Sequence, residues 1–297
     1  MKRIIIETWE EYSLDSTLYP SYVLSLLTRE NSKYIKIGGI GKGAIIKQIN
    51  HYVEIVGDIE EEYAYELTGA LDTPWDFLRK TPRSGKYIVE AFIEMYPDVG
   101  LSTGSKDYHF IFISIILSRR TNYHANVLRW TRNLFPIMQS LDDLELINIE
   151  DISGSYQLKQ LRSLIKNFKH IDALIKLNKN PEKLRRELLS IKGIGPKTAD
   201  AFLLHGLRIT EYAPIDVHFK SLAKRLGIGT LEPRKNYCLK YICSQCPLKS
   251  ECILSNAKKL LGSALGYVQT IAYIHDKKYC RLRRCNSCSL RSICLTT

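Results

Sequence analysis

The sequence predicts an α+β protein in three successive parts: an antiparallel β domain over residues 1–100, a helical domain over 101–232, and a cysteine-rich region over 233–297. Three observations carry that prediction. Short β-branched runs separated by glycine and asparagine fill the first part, helical periodicity interrupted by a glycine hairpin organises the second, and all eight cysteines lie between Cys238 and Cys294.

In the first part, residues 34–37, 44–49 and 52–56 read as strands of one antiparallel sheet, with glycines and Asn50 between them. The run Gly38-Gly39-Ile40-Gly41-Lys42-Gly43 invites comparison with a phosphate loop. It lacks the Ser or Thr that must follow the lysine to reach magnesium, so a turn between strands is the better reading. Residues 73–96 then read as helical. The start of the chain is too short and too soon acidic for a signal peptide, and no stretch is apolar for long enough to span a membrane. These features predict a cytoplasmic or nucleoid-associated protein without a targeting signal.

Charge is unevenly distributed. Residues 1–100 hold 11 Lys+Arg against 16 Asp+Glu, whereas the remainder holds 32 against 15, so the net of +12 comes entirely from the second and third parts. A basic region beside a mildly acidic one points to a nucleic-acid-facing surface, although charge alone fits RNA or anionic lipid equally well.

In the second part, residues 107–117 form a nearly continuous apolar run that fits a buried helix and ends at Ser118-Arg119-Arg120-Thr121-Asn122-Tyr123-His124. Amphipathic stripes follow at Val127, Trp130, Leu134 and Ile137, and at Leu158, Leu161, Leu164, Ile165 and Phe168; such stripes read as core. Asn180 can cap a helix that begins at Pro181 and carries Leu184, Leu188 and Ile191 on one face. Gly193 and Gly195 break it. Pro196 starts the next helix, with Ala199, Phe202, Leu203 and Gly206 on its buried face. Two glycines at such a junction permit a tight turn and leave the first N–H groups of the second helix unobstructed, which makes a phosphate cradle. Asp216, in Tyr212-Ala-Pro-Ile-Asp216-Val-His218, can cap a third helix whose apolar face is Phe219, Leu222, Ala223 and Leu226.

The third part repeats itself. Tyr237-Cys238-x4-Cys243-x2-Cys246-x5-Cys252 is followed 42 residues later by Tyr279-Cys280-x4-Cys285-x2-Cys288-x5-Cys294, and Leu248-Lys249-Ser250 is echoed by Leu290-Arg291-Ser292. Closely spaced cysteines in a chain read as cytosolic point to metal ligation, and soft thiolates suit zinc or iron–sulfur.

From about Gly100 to Cys294 these motifs, in this order, resemble the helix-hairpin-helix DNA glycosylase superfamily, which includes endonuclease III and the 8-oxoguanine glycosylases; the first hundred residues match loosely. The resemblance implies that Lys197, two residues after the second hairpin glycine, is the nucleophile and Asp216 its electrostatic partner. It implies that Gly193, Gly195, Thr198 and His218 face DNA, and that Arg119 and Arg120 stand where the family inserts a side chain into the gap left by a flipped base; plain phosphate contact is the equal alternative for these arginines. Tyr123 and His124 are candidates for stacking. A lysine at the second position of a helix lies in the positive end of its dipole, which disfavours the ammonium, and partial burial would act in the same direction. A carboxylate at Asp216 held by backbone donors is expected to stay ionised and to stabilise positive charge on the sugar or deprotonate the amine.

The resemblance also implies a 4Fe–4S cluster at Cys280, Cys285, Cys288 and Cys294. The second block matches the last two gaps of the endonuclease III pattern C-x6-C-x2-C-x5-C and departs in the first, with four residues instead of six. The block at Cys238, Cys243, Cys246 and Cys252 has no counterpart there; its similarity to the second favours another cluster, with zinc as the alternative. Arg281, Arg283, Arg284, Lys277 and Lys278 ride on the second loop as phosphate contacts. The N-terminal β domain resembles that of the 8-oxoguanine and alkyladenine glycosylases, which leans toward oxidised purine, whereas the cysteine tail leans toward oxidised pyrimidine. The function implied is a monomeric DNA N-glycosylase with AP-lyase activity, acting on duplex DNA with a damaged base or abasic site. A monofunctional glycosylase and a non-catalytic DNA-binding protein are the alternatives.

Overall fold

The computed structural model describes residues 2–166, 168–177 and 180–295, with the side chains of Ile165, Phe168 and Lys169 outside that description. The stripe expected through Ile165 and Phe168 is therefore described only at Leu158, Leu161 and Leu164, all of them buried. Packing groups the chain into two compact units that interleave in sequence: residues 1–71, 102–179 and 205–208 form one, and residues 72–101, 180–204 and 209–297 the other.

The first unit contains a five-stranded antiparallel sheet: β1 Lys2–Glu7, β2 Leu27–Glu30, β3 Lys33–Lys36, β4 Ile45–Ile49 and β5 Tyr52–Gly57, in spatial order β1-β5-β4-β3-β2. The three strands expected from the sequence are β3, β4 and β5. The two it did not foresee are weakly marked: β2 is mostly polar, and β1 buries Ile4 and Ile6 but leaves Ile5 exposed among charged neighbours. Asn31 and Asn50 adopt positive φ in the tight turns before β3 and β5, a conformation asparagine tolerates better than most residues.

The glycine run between β3 and β4 is a turn, and it cradles an anion from within the unit. Gly39, Gly41 and Gly43 all have positive φ, the N–H of Ile40 donates to the Asp107 carboxylate at 2.7 Å, and a Cβ on Gly39 would meet that carboxylate at 2.0 Å. Lys36, 1% exposed, donates to the same carboxylate at 2.5 Å, and the Tyr63 hydroxyl donates to it at 2.6 Å. Burial pushes the Lys36 ammonium toward neutrality and the Asp107 charge pulls it back. Asp107 directly precedes the helix Tyr108–Leu117, which is buried throughout from Phe110 onward, so one ion pair joins the sheet to the central helix of the unit.

The second unit is helical. The segment expected as helix over 73–96 is two helices, Pro74–Lys80 and Lys86–Met95, divided at Pro82, whose ring cannot continue the first. They pack with Val217–Arg225, Ile253–Leu261 and Leu265–His275 around Phe77, Phe92, Phe219, Leu254, Tyr267 and Ile271. Among the described residues no helix is long and apolar enough to cross a membrane.

Removing one member of a buried ion pair leaves the other charge without compensation. Asp107→Ala is expected to cost about 3–5 kcal/mol in urea unfolding, and the double change Lys36→Met/Asp107→Leu to recover most of it. A loss below about 1 kcal/mol for the single change would show that the pair does not anchor the unit.

Candidate active site

The hairpin belongs to the second unit and is built as its sequence suggests. The Asn180 side chain accepts the N–H groups of Glu182 and Lys183 at 3.0 and 3.1 Å, opening the helix Pro181–Ser190. Gly193 turns the chain with φ of +89°, and the helix Pro196–Leu207 begins two residues after Ile194. The two glycines serve different ends. Gly193 supplies a conformation other residues resist, whereas a Cβ on Gly195 would meet nothing within 4 Å, so that face is open to an approaching backbone. Arg185 on the first helix grips Asp200 on the second through two hydrogen bonds of 2.5 and 3.0 Å, and both side chains are buried. From outside the hairpin, the Lys235 ammonium donates to the carbonyls of Ile194 and Ile191 at 2.8 and 3.3 Å.

Lys197 is exposed at the second position of this helix rather than partly buried, while the Thr198 side chain turns inward. Asp216 caps Val217–Arg225: its Oδ1 accepts from the N–H groups of Phe219 and His218 at 2.7 and 3.0 Å. Its Oδ2 stands 3.5 Å from the Gln269 amide nitrogen. Burial pushes the Asp216 carboxyl upward, against the downward pull of the Phe219 N–H, the charge of His218 and the charge of Lys197. The backbone donors expected to favour its ionised form are present, and burial shifts the group in the opposite direction.

His218 is buried. Its Nδ1 lies 2.7 Å from Asp276 Oδ2, an oxygen that also accepts from Arg281 Nε at 2.9 Å, and its ring meets Tyr273 edge to face. The Asp216 segment is thus connected to the loop carrying the second cysteine block. Sequence reading missed Gln269, Arg185, Asp276 and Lys235. Only Gln269 carries a visible signal, as a glutamine in the middle of the apolar helix Leu265–His275; it is 5% exposed and its Oε1 has no hydrogen-bond partner among the described residues.

Arg119 and Arg120 belong to the first unit, and Lys197, Asp216, His218 and the hairpin belong to the second. Arg119 is half-buried, with one guanidinium nitrogen lacking a partner, while Arg120 is exposed and has φ of +53° just past the end of the helix Tyr108–Leu117. Tyr123 and His124 are engaged internally: the Tyr123 hydroxyl donates to the Ser21 carbonyl at 3.0 Å, and the His124 ring stacks on Tyr19.

The eight cysteines form no disulfide with one another. Cys280, Cys285, Cys288 and Cys294 line one pocket together with His275 and Arg225. Burial pushes the Cys280 thiol up to about 11, so ionising it calls for a compensating cation. His275 approaches Cys288 Sγ at 3.6 Å through Nε2 and Tyr96 at 3.0 Å through Nδ1; burial pushes this ring down to about 4, which keeps it neutral. Among the described residues no three His, Cys, Asp or Glu side chains are arranged to hold a single metal ion.

No family model matches the chain. In sequence it is 28% identical over 201 residues to a candidate DNA repair glycosylase of Methanocaldococcus jannaschii, covering 63% of this chain and 84% of that one. It is also 28% identical over 143 residues to endonuclease III of Sulfolobus acidocaldarius, covering 48% of this chain and 56% of the relative. In structure it matches the 8-oxoguanine glycosylase/lyase of Clostridium acetobutylicum, solved with duplex DNA containing cytosine opposite 8-oxoguanine, with a TM-score of 0.68 at 15% identity over 93% of this chain and 95% of that one. The expected α+β fold, an N-terminal antiparallel sheet followed by a mostly helical remainder, is the fold observed.

The cap and the charge of Asp216 are separable. Asparagine caps helices as well as aspartate does, whereas alanine forfeits about 1 kcal/mol. Urea unfolding of Asp216→Asn is expected to stay within about 0.5 kcal/mol of wild type, and that of Asp216→Ala to fall by about 1 kcal/mol. Equal losses in the two variants would mean that the capping bonds contribute nothing.

Proposed function

We propose that this chain, which carries the fold of the helix-hairpin-helix DNA glycosylases and resembles DNA repair glycosylases in sequence, is a base-excision DNA N-glycosylase with AP-lyase activity. The observation that supports this most is the Asp216 carboxyl. One of its oxygens is committed to the cap, the other faces Gln269, and Lys197 is near enough for its charge to act on the group.

On this reading, backbone phosphates of duplex DNA rest on the open N–H groups of the hairpin at Gly193 and Gly195, and the damaged nucleotide is turned out of the stack so that its glycosidic bond can be reached. Lys197, as the free amine, attacks C1′. The bond from C1′ to the base breaks, and the base leaves with that electron pair and takes a proton. Asp216 holds the positive charge that develops at the sugar and accepts a proton from the attacking amine. Expulsion of O4′ from C1′ gives the Schiff base, and loss of a C2′ proton then expels the 3′ phosphate.

The second cysteine block fits a 4Fe–4S cluster better than zinc. Zinc draws four sulfurs to about 2.3 Å from one point, whereas the four thiolates of a cluster each take a different iron and stand apart around it. Four thiols lining one pocket, at the x2 and x5 spacings of the endonuclease III pattern, match the second case. Cys280, Cys285, Cys288 and Cys294 would hold the group, which supplies a cross-link for the loop bearing Arg281, Arg283 and Arg284 rather than a reaction step.

Borohydride trapping on abasic-site duplex tests the reading. Wild type should give a covalent adduct that Lys197→Ala abolishes, with strand cleavage falling roughly a thousandfold or more. Binding without any adduct would end the lyase assignment. Asp216→Asn, which keeps the cap and removes the charge, should lower kcat/KM for base release at neutral pH by roughly a hundredfold or more; activity within about threefold of wild type would contradict the role given to Asp216.

A further inference from the structure

The first cysteine block repeats the second in backbone as well as in sequence. Three hydrogen bonds recur at the same offset of 42 residues: Gln245 N–H to the Ile242 carbonyl and Ser287 to Arg284, Cys246 to Cys243 and Cys288 to Cys285, Lys249 to Cys246 and Arg291 to Cys288. Burial recurs too. In each block the second and third cysteines are half-buried while the two residues between them are exposed. The first cysteine is carried differently, on the helix Lys235–Lys240 in one block and on the single wide turn Asp276–Cys280 in the other.

Electrostatic interactions link the four thiols of the first block pairwise or through Arg185. Cys252 is within electrostatic reach of Cys238 and Cys246, and both Cys238 and Cys243 lie beside the Arg185 guanidinium. The loop that carries them is closed at its base, where Leu231 and Cys252 form a parallel bridge and the N–H groups of Thr230 and Leu231 both donate to the Glu251 carbonyl at 3.0 Å. Its contacts run to the hairpin. Lys235, three residues before Cys238, holds the hairpin carbonyls of Ile191 and Ile194, and Arg185, beside Cys238, joins the two hairpin helices through Asp200.

We propose that Cys238, Cys243, Cys246 and Cys252 bind a second 4Fe–4S cluster, and that this cluster is the footing on which the hairpin is held. The choice of a cluster over a single zinc ion follows from the spacing and the backbone hydrogen bonds that the first block shares with the second. The type of cluster rests on the reading of the second block, whereas occupancy of the first is measured independently of it and of any glycosylase activity.

The full chain, purified without oxygen, should contain about eight iron and about eight acid-labile sulfide, and native mass spectrometry of the wild type should show two cluster masses. Cys243→Ser/Cys246→Ser should retain about four iron and still be brown, as should Cys285→Ser/Cys288→Ser. The first variant should also bind abasic duplex at least about tenfold more weakly, because it loosens the hairpin. A wild type with about four iron, all retained by the first variant, would overturn the proposal, as would loss of one zinc in that variant. Iron confined to the first block would instead remove the cluster from the second and leave this proposal standing. Native mass spectrometry needs no variant, so the wild-type count decides even if the double substitutions do not fold.

Discussion

The bidentate pair between Arg185 and Asp200 is the constraint on which the rest of the site depends. It ties the two helices of the hairpin to each other across the glycine junction, where the buried Ile191 and Ile194 and the Lys235 bonds to their carbonyls add to the hold. Both partners are buried, so neither is free to leave without stranding the other's charge, a loss of about 3–5 kcal/mol. A planar guanidinium holding a carboxylate by two parallel bonds fixes direction as well as distance. Directional control matters because Lys197 sits on the second helix, and the position of its amine is set by where that helix starts.

A second chain of polar contacts begins at Asp216 and runs away from the hairpin. Asp216 takes its place by capping the helix that starts with Val217; His218, within the cap, reaches Asp276, and Asp276 takes Arg281 in turn. The carboxyl expected to act at the sugar and the cations expected to meet phosphate are therefore mechanically continuous. The two cysteine blocks divide this labour, one bordering the hairpin and the other bordering the loop beyond His275.

The start of the helix at Pro181, the hairpin and the cap at Asp216 were legible in the sequence because each is written in local chemistry: Asn180 before Pro181, glycines at the turn, aspartate before an apolar face. The three strands richest in β-branched residues were legible for the same reason. Strand β2 was not, since it pairs by backbone bonds while presenting mostly polar side chains, and β1 was not, since its isoleucines are adjacent rather than alternating. Arg185, Asp276 and Lys235 were invisible because their meaning lies in partners 15, 58 and 41–44 residues away. A basic or acidic residue on a helix reads as solvent-facing until the fold closes over it.

The anion cradle between β3 and β4 has a consequence for how the sheet finds its register. Side chains alternate across a strand, so sliding β3 by one residue would send Lys36 to the opposite face, leaving Asp107 beside the glycine turn and Tyr63 with no cation. An apolar residue in that place would penalise the slip only by the area it exposed. A buried charge penalises it by the full cost of stranding its partner, so this ion pair works as a proofreading element during assembly, rejecting misaligned sheets that hydrophobic contacts alone would tolerate.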